Sequence, residues 1–282
     1  MRGETARRLG RAGRLLPGRA CSAGMSLDPQ SPPLGLPDPA EVRVWLAWVP
    51  LVADGPRRLA ELLSAEERAA AERFLRAEDR TRYVVAHGVL REILGHCLGL
   101  PPAAVALGRG PWGKPELTGD AARTGLAFNL SHSGDLVAVA VAAGRAVGVD
   151  VEAGRTTMDV MDLAAGHFAP AEIAALASVD PADRRAAFIR CWTRKEAYVK
   201  ARGEGLGFPL PRFAVAFGAD QAPGLLWVAD EPDAPRQWAV FDLAPGAGYA
   251  GAVVVAGPPV SLVVRRWPTA TIPDEKGQLN RE

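Results

Sequence analysis

Apolar residues recur along this chain with two spacings, and each spacing predicts a different kind of element. Short runs that alternate with polar residues, or stay apolar throughout, are typical of strands. The predicted strands cover residues 42–49, 126–131, 136–141, 147–152, 212–217, 224–228, 237–241 and 249–255. Those between residues 126 and 152 follow one another through short turns, which predicts an antiparallel meander.

Apolar residues three and four positions apart predict the helices. Ser64 and Glu67 form a capping-box pattern at the start of a helix that ends near residue 74. The other predicted helical regions cover about 80–97, 158–178 and 183–202.

The order of these elements repeats within the chain. A helix, a break containing Gly, Leu and Pro, and a strand follow one another at residues 91–108 and again at 194–218. We therefore predict an α+β fold of two similar halves, each a small antiparallel sheet packed with helices. A chance repeat stays open, because helix–turn–strand units are common. The predicted halves cover residues 41–145 and 146–258.

Both ends of the chain differ in composition from the predicted halves. Residues 1–40 are predicted to be an extension, and 259–282 a C-terminal tail that is polar from Thr269 onwards. Residues 1–24 are rich in Arg and poor in acids, which resembles a transit peptide. We favour an over-long start, with Met25 as the first residue, or a disordered segment.

Composition and charge exclude several classes of protein. Hydrophobic content of 48% and charged content of 23% are typical of a soluble globular protein. The net charge of +1 provides no general basic field for nucleic acid, and no apolar run reaches the length of a membrane span. The three cysteines are odd in number and lack metal or disulfide spacing, so we expect a reducing compartment, the cytoplasm.

The segment GVDVE at residues 148–152 carries the clearest chemical signal. In a strand, Asp150 and Glu152 share one face. Two close carboxylates repel each other, so one takes up a proton unless a cation lies between them, and such oxygen ligands suit Mg²⁺. The alternative is a strand that ends in a solvated loop with two surface acids.

The helix predicted at 183–202 places charges on a core-facing stripe. Glu196 lies on the same side as Trp192, and Lys200 follows one turn later. Charges in such positions are rare unless they are paired or bound to a metal. We therefore predict Glu196 as a third carboxylate for the cation, with neighbouring lysines as phosphate contacts. A simple surface ion pair between Glu196 and Lys200 is the alternative.

Other polar residues suit phosphate binding. Ser131 and His132 lie in a tight turn after a predicted strand, Lys114 is fixed beside Pro115, and Arg82 lies near the start of a helix. Taken alone, each is equally well a structural or solvated residue. The chain has no Gly-x-x-x-x-Gly-Lys-Ser/Thr loop and no Gly-x-Gly-x-x-Gly after a strand, so we expect neither a P-loop enzyme nor a Rossmann cofactor.

Three segments, in their order and spacing, resemble the 4′-phosphopantetheinyl transferases of the surfactin-synthetase-activating type. They are FNLSHS at 128–133, GVDVE at 148–152 and WTRKEA at 192–197, and GKP at 113–115 and the segment 74–82 fit as well. The resemblance covers roughly residues 42–255 and implies a pseudo-two-fold α+β fold. It implies an enzyme that moves phosphopantetheine from coenzyme A to a serine of an apo carrier protein, depends on Mg²⁺ and releases 3′,5′-ADP.

The resemblance also implies a role for each candidate residue. Asp150, Glu152 and Glu196 would hold Mg²⁺, or Mn²⁺ in its place, on the pyrophosphate of coenzyme A. Glu196 would be a candidate base for the carrier serine, and Lys200 would contact phosphate and assist the leaving group. A further set would bind the phosphates and adenine side of coenzyme A: Arg82, Lys114, Ser131, His132 and Lys195.

The implied partners are coenzyme A and an acyl, peptidyl or aryl carrier protein of fatty-acid, polyketide or non-ribosomal peptide synthesis. Residues 153–170 correspond to the family's carrier-docking region, and we expect a monomer that binds neither nucleic acid nor membrane. Family members often carry first-helix lysines that clamp the 3′-phosphate, where this chain has Glu67 and Ala70. Arg68 or Arg73 would have to substitute, unless the affinity for coenzyme A rests elsewhere.

Two other functions stay open on the residues alone. A Mg²⁺-dependent phosphoesterase or nucleotidyl enzyme would use the same three acids and release product without a carrier protein. A non-catalytic carrier-binding homologue would need none of them, and the presence of Asp150, Glu152, Glu196 and Lys200 argues against it.

Overall fold

A computed structural model describes residues 34–51, 55–154, 158–258 and 260–267. The transit-peptide and Met25 hypotheses lie outside these residues. The helices are α1 (Gly55–Leu62), α2 (Ala65–Glu72), α3 (Ala77–Leu98), α4 (Val160–His167), α5 (Pro170–Ser178), α6 (Arg184–Arg202) and α7 (Ala234–Gln237). The strands of the first half are β1 (Glu41–Trp48), β2 (Leu107–Arg109), β3 (Pro115–Leu117), β4 (Leu126–Ser133) and β5 (Leu136–Ala143). The remaining strands are β6 (Val147–Ala153), β7 (Phe213–Ala216), β8 (Gly224–Val228), β9 (Trp238–Leu243), β10 (Tyr249–Ala256) and β11 (Ser261–Trp267).

The same strand arrangement occurs twice. The larger sheet has the order β11-β1-β5-β4, and the second sheet has the order β6-β10-β9. Each half begins with a strand, continues through a long helix (α3 or α6) and a two-stranded hairpin (β2–β3 or β7–β8), and ends with a hairpin (β4–β5 or β9–β10) that joins the first strand in one sheet. The α+β class predicted from the sequence is confirmed, and the helix–break–strand repeat corresponds to α3–β2 and α6–β7.

Three apolar cores hold the elements together. Trp45 of β1 and Ile93 of α3 belong to the core between the first sheet and its helices. Tyr198 of α6 and Val254 of β10 belong to the equivalent core of the second sheet. The third core lies between the two sheets and contains Val44, Ala140, Val149 and Val253. The two halves therefore join through the inner faces of their sheets.

The faces of β6 are as predicted from its alternation. Val147, Val149 and Val151 are fully buried in the core between the sheets. Asp150 and Gly148 lie on the other face, towards α6, because a strand alternates its side chains.

The predicted meander is wrong at its third strand. β4 and β5 pair as an antiparallel hairpin, but β6 pairs with β10 in the second sheet. The physical reason is that β5 already has a neighbour on each side, β1 and β4.

The predicted tail at 259–282 also requires correction. Ser261–Trp267 form β11, which pairs in parallel with β1 from Glu41↔Ser261 to Ala47↔Trp267. Trp267 is only 3% exposed and packs into the first core. Arg266 is exposed in this strand, and an edge strand tolerates such a charged side chain.

Candidate active site

The site forms where α6 crosses β6, and Gly148 permits the crossing. A Cβ atom at this position would overlap the carbonyl oxygen of Ala197 and the amide nitrogen of Ala201, and would lie 2.9 Å from the Ala201 Cα. These are backbone atoms of α6, which cannot move aside as a flexible side chain can. The glycine therefore lets the helix lie directly against the acid-bearing strand.

Asp150 is the most buried acid of the site, with 3% of its surface exposed. Its Oδ1 accepts hydrogen bonds from Lys200 Nζ at 2.5 Å and from Ser131 Oγ at 3.0 Å. Its Oδ2 is buried and has no hydrogen-bond partner among the residues the structure describes. Burial raises the pKa of Asp150 to about 6, against the attraction of Lys200, and the charge of Glu152 raises it further.

Glu196 and Glu152 flank Asp150. Glu152, at the end of β6, accepts a hydrogen bond from Ser133 Oγ at 2.7 Å on its Oε2. Glu196 is half-buried on α6, where desolvation and then the negative charge of Asp150 raise its pKa, while Lys200 and His167 oppose the rise. The structure therefore brings the three predicted acids to one side of β6, where their charges influence one another.

These acids suit a divalent cation, although their side chains alone do not form a complete coordination site. Within the described ranges, no group of three or more His, Cys, Asp or Glu side chains is arranged to hold a metal ion by itself. Mg²⁺ commonly binds one or two carboxylates and completes its shell with water and substrate phosphates. The unpartnered Asp150 Oδ2 is a buried oxygen of the required kind.

Lys114 and Ser131 contact protein groups of this site. Lys114 Nζ donates to the carbonyl oxygens of Val147 at 3.1 Å and Lys200 at 2.7 Å, and burial lowers its pKa to about 8. Ser131 Oγ donates to Asp150 and accepts from Lys200 Nζ at 3.1 Å. Both side chains therefore brace β6 against α6 in this structure.

Arg82 and His132 form a polar rim on the first half. Arg82 pairs with Asp135 at 3.0 Å and with Asp79 at 3.0 Å, which raises its pKa. Desolvation lowers the pKa of His132, and the charges of His87, Lys200 and Arg82 lower it further. The cations Arg82 of α3 and Lys200 of α6, with the imidazole of His132 on β4 as a neutral hydrogen-bonding group, thus act on one region, which suits binding of a polyanion.

Lys195, which was predicted to bind coenzyme A, does not lie at the site. Its side chain is fully buried on the core side of α6, where Nζ donates to Glu172 Oε2 and to the carbonyl oxygen of Phe213, each at 2.6 Å. Neighbouring helical residues project about 100° apart, so Lys195 turns away from the acids that Glu196 joins. It therefore has no access to a phosphate group in this structure.

Glu67, which stands where members of the resembled family often carry a lysine, has a structural role in this chain. It closes the predicted capping box with Ser64, which the structure confirms, and accepts hydrogen bonds from Arg91 Nε at 2.6 Å and His87 Nδ1 at 3.3 Å. The Arg68 guanidinium donates to the carbonyl oxygen of Leu63. Glu67 therefore ties α2 to α3, and its position is structural.

Sequence reasoning gave no role to Asn129 and Ser133, which the structure places at the site. Asn129 Oδ1 accepts from the amide of Val149 at 2.8 Å, and Ser133 Oγ accepts from the amide of Ala153 at 3.1 Å. Their alternation with Ser131 along β4 was visible in the sequence, but the unpaired strand edge they face was not.

A buried acid paired with a lysine, two further acids beside it, and a rim of arginine and histidine are typical of an enzyme that acts on a phosphate compound. Comparison with known proteins narrows this class. Residues 47–144 match the family model described as 4′-phosphopantetheinyl transferase, N-terminal, and residues 146–254 match that of the 4′-phosphopantetheinyl transferase superfamily.

Similar proteins cover most of the chain. It is 37% identical over 217 residues to the 4′-phosphopantetheinyl transferase HetI of Nostoc sp., a match that covers 77% of this chain and 88% of that protein. It is 26% identical over 211 residues to the 4′-phosphopantetheinyl transferase Sfp of Bacillus subtilis, covering 74% and 89%. A solved holo-[acyl-carrier-protein] synthase of Thermotoga maritima aligns with a TM-score of 0.33 and 23% identity over 40% of this chain and 63% of that one. The chain belongs to the 4′-phosphopantetheinyl transferase superfamily, which confirms the resemblance found in its sequence, and it is a transferase of that kind.

In the part of the chain that is described, no helix combines the length and apolarity needed to cross a bilayer.

Proposed function

We propose that this transferase moves the 4′-phosphopantetheine group of coenzyme A to a serine hydroxyl of an apo carrier protein in a Mg²⁺-dependent reaction. The observation that carries the metal assignment concerns Asp150, a buried acid whose Oδ1 is held by Lys200 and Ser131. Its Oδ2 has no hydrogen-bond partner in the described part of the chain. A buried carboxylate oxygen without a partner is costly unless a ligand completes it.

Asp150 and Glu152 are the carboxylates assigned to the cation. Asp150 would bind through Oδ2, because its Oδ1 is already engaged. When bound, Mg²⁺ supplies positive charge that neutralises the pyrophosphate and the departing phosphate.

The transfer exchanges one bond at phosphorus for another. The serine oxygen of the carrier protein bonds to the β-phosphorus of coenzyme A, and the bond from that phosphorus to the bridging oxygen breaks. The bridging oxygen leaves as part of the 5′-phosphate of 3′,5′-ADP. Little covalent chemistry falls to the protein in such a step, so positioning and charge dominate.

Glu196 is assigned the role of the base that accepts the proton of the carrier serine. Burial and the charge of Asp150 raise its pKa, which makes it a better base than an exposed glutamate. It can in addition complete the acid group around the cation. Lys200 lies beside Asp150 with its side chain partly open to solvent, so its ammonium group can stabilise negative charge on the phosphate.

Coenzyme A is assigned to the polar rim. Arg82 and His132 lie on the open side of the site and suit its phosphates, while Lys114 and Ser131 support the site from within. The carrier protein is expected to belong to fatty-acid, polyketide or non-ribosomal peptide synthesis.

The test is the intact mass of apo carrier proteins from these three pathways after incubation with the enzyme, coenzyme A and Mg²⁺. We expect a gain of one phosphopantetheine group, lost when EDTA replaces Mg²⁺. Release of product from coenzyme A without modification of any carrier would favour a phosphoesterase instead.

The metal assignment is tested with Asp150→Ala, which should abolish the gain in mass while leaving the fold intact. Asp120→Ala is the matched control, because the Asp120 side chain is 99% exposed. Full activity of Asp150→Ala would exclude this acid as a metal ligand.

A further inference from the structure

One edge of β6 meets side chains instead of another strand. β6 lies at the edge of its sheet, so the backbone groups of alternate residues point away from β10. Side chains of the first half bond to these groups: Lys114 Nζ to the Val147 carbonyl, Asn129 Oδ1 to the Val149 amide, Ser131 Oγ to the Val151 amide and Ser133 Oγ to the Ala153 amide. The distances are 3.1, 2.8, 3.3 and 3.1 Å. We refer to these four contacts as the β6 seam.

The side chains of the β6 seam and the acids of β6 follow the same two-residue spacing. Asn129, Ser131 and Ser133 alternate along β4, and each meets the amide of the residue twenty positions later. Alternate residues of β6 then place Asp150 and Glu152 beside the two serines. The first half therefore sets the position of the strand that carries the acids.

Each serine of the seam also donates to one acid. Ser131 Oγ donates to Asp150 Oδ1 at 3.0 Å, and Ser133 Oγ donates to Glu152 Oε2 at 2.7 Å. A hydroxyl group has a single proton, so a serine that accepts from a backbone amide directs that proton to the carboxylate. Each acid is thus held by one oxygen, which leaves its second oxygen for another ligand.

The geometry points to Ser133 as a positioning residue that fixes the end of β6 and orients the Glu152 carboxylate towards the divalent cation. This inference rests on the metal assignment of the proposed function. The inference assigns Ser133 no direct contact with substrate or metal. It acts through Glu152, as residues that orient metal ligands commonly do.

The experiment measures Mg²⁺ affinity by calorimetry with saturating coenzyme A and no carrier protein, so that turnover plays no part. Ser133→Ala should raise the Mg²⁺ dissociation constant by about tenfold or more, the usual effect of losing such a support. Ser133→Thr keeps the hydroxyl and should restore the affinity to within about threefold. Ser178→Ala is the matched control, because the Ser178 hydroxyl is exposed at a helix end, where it donates to the Ala175 carbonyl.

Amide hydrogen exchange gives a second measurement that needs no metal. The Ala153 amide should exchange faster in Ser133→Ala than in the wild type, because it loses its acceptor. Coenzyme A affinity in EDTA should be unchanged, because the inference gives Ser133 a role towards the metal alone. If Ser133→Ala does not fold, Ser133→Cys provides the same comparison, because a thiol keeps the volume but forms weaker hydrogen bonds.

The outcomes separate this inference from the proposed function. Wild-type Mg²⁺ affinity in Ser133→Ala, measured beside a wild type that binds Mg²⁺, would overturn the role of Ser133 and leave the metal assignment standing. A wild type that takes up no Mg²⁺ in the presence of coenzyme A would overturn the metal assignment, and the role of Ser133 with it.

Discussion

Lys200 Nζ lies 2.5 Å from Asp150 Oδ1, although the two residues are fifty positions apart in the chain. The Asp150 side chain is 4% exposed and that of Lys200 is 29% exposed, so the pair is open to solvent from the lysine side only. The lysine can therefore neutralise the acid and still turn its ammonium group to a phosphate oxygen.

Lys200→Met should lower kcat/KM by about 10²-fold, because it removes a positive charge from the region where the transition state carries negative charge. Lys200→Arg keeps the charge and should retain more activity than the methionine variant. Steady-state transfer to a carrier protein measures both. Activity of Lys200→Met within threefold of the wild type would contradict the assigned role.

Asp150→Asn should abolish transfer and yet stabilise the protein in EDTA at pH 7.5. The folded-state pKa of Asp150, about 6, lies above its unfolded value of 3.8, so the folded state binds the proton more tightly. Stability therefore falls as pH rises from about 4 to about 6, by about 1–3 kcal/mol from this group. The amide carries no charge and avoids this loss. Urea unfolding at pH 4 and pH 7.5 checks it, and a variant less stable than the wild type at pH 7.5 would contradict the argument.

Gly148→Ala should destabilise the protein by about 2–4 kcal/mol and reduce transfer, because its Cβ would overlap backbone atoms of α6. Gly166→Ala in α4 is the matched control. A Cβ at Gly166 meets no atom within 4 Å, so that variant should be neutral or stabilised by about 0.5–1 kcal/mol. Thermal unfolding compares the two, and equal stabilities would show that α6 can move away from β6.

Glu67→Gln should destabilise the protein at pH 7 by about 2 kcal/mol, with the difference shrinking in acid. Burial alone would raise the pKa of Glu67, but hydrogen bonds from His87, Arg91 and the Ser64 amide outweigh it and lower the pKa from 4.5 to about 2. The stabilisation is therefore complete above pH 4.5 and is lost as pH falls towards 2. Glu66→Gln, at an exposed position of α2, should stay within about 0.5 kcal/mol of the wild type at every pH. Chemical unfolding between pH 3 and 7 tests the trend, and a constant difference would contradict it.

Lys195→Met should destabilise the protein by about 3–5 kcal/mol, because it leaves the carboxylate of Glu172 buried without its cation. Coenzyme A affinity of the folded variant should be unchanged, since Lys195 faces the core. Calorimetric titration with coenzyme A below the unfolding temperature measures this. A tenfold loss of affinity in a stably folded variant would restore Lys195 to the binding site.

The sequence allowed prediction of those features that depend on local spacing. Alternation along 147–152 placed the valines of β6 in the core and its acids on the opposite face. Glu196 and Lys200, one helical turn apart, proved to share the face that meets Asp150. In these places, the periodicity of one element was enough to give the direction of its side chains.

Features that depend on distant pairing could not be predicted in this way. The partner of β6 is decided by which strand edges remain free, and β5 has none. Lys195 lies next to Glu196, on the border of the apolar stripe, and only its contact with Glu172 shows that it is buried. The roles of Asn129 and Ser133 depend on an edge that sequence spacing does not show.

The pairing of β11 with β1 has a consequence for the synthesis of the protein. Glu41 of β1 leaves the ribosome 220 residues before its partner Ser261. The strands of the second sheet, by contrast, lie between residues 147 and 256 and are all available earlier. The outer edge of β1 therefore stays open for nearly the whole of translation, when such edges are prone to pair with other chains. The sheet that begins first is finished last, and its completion is an event that follows translation of both halves.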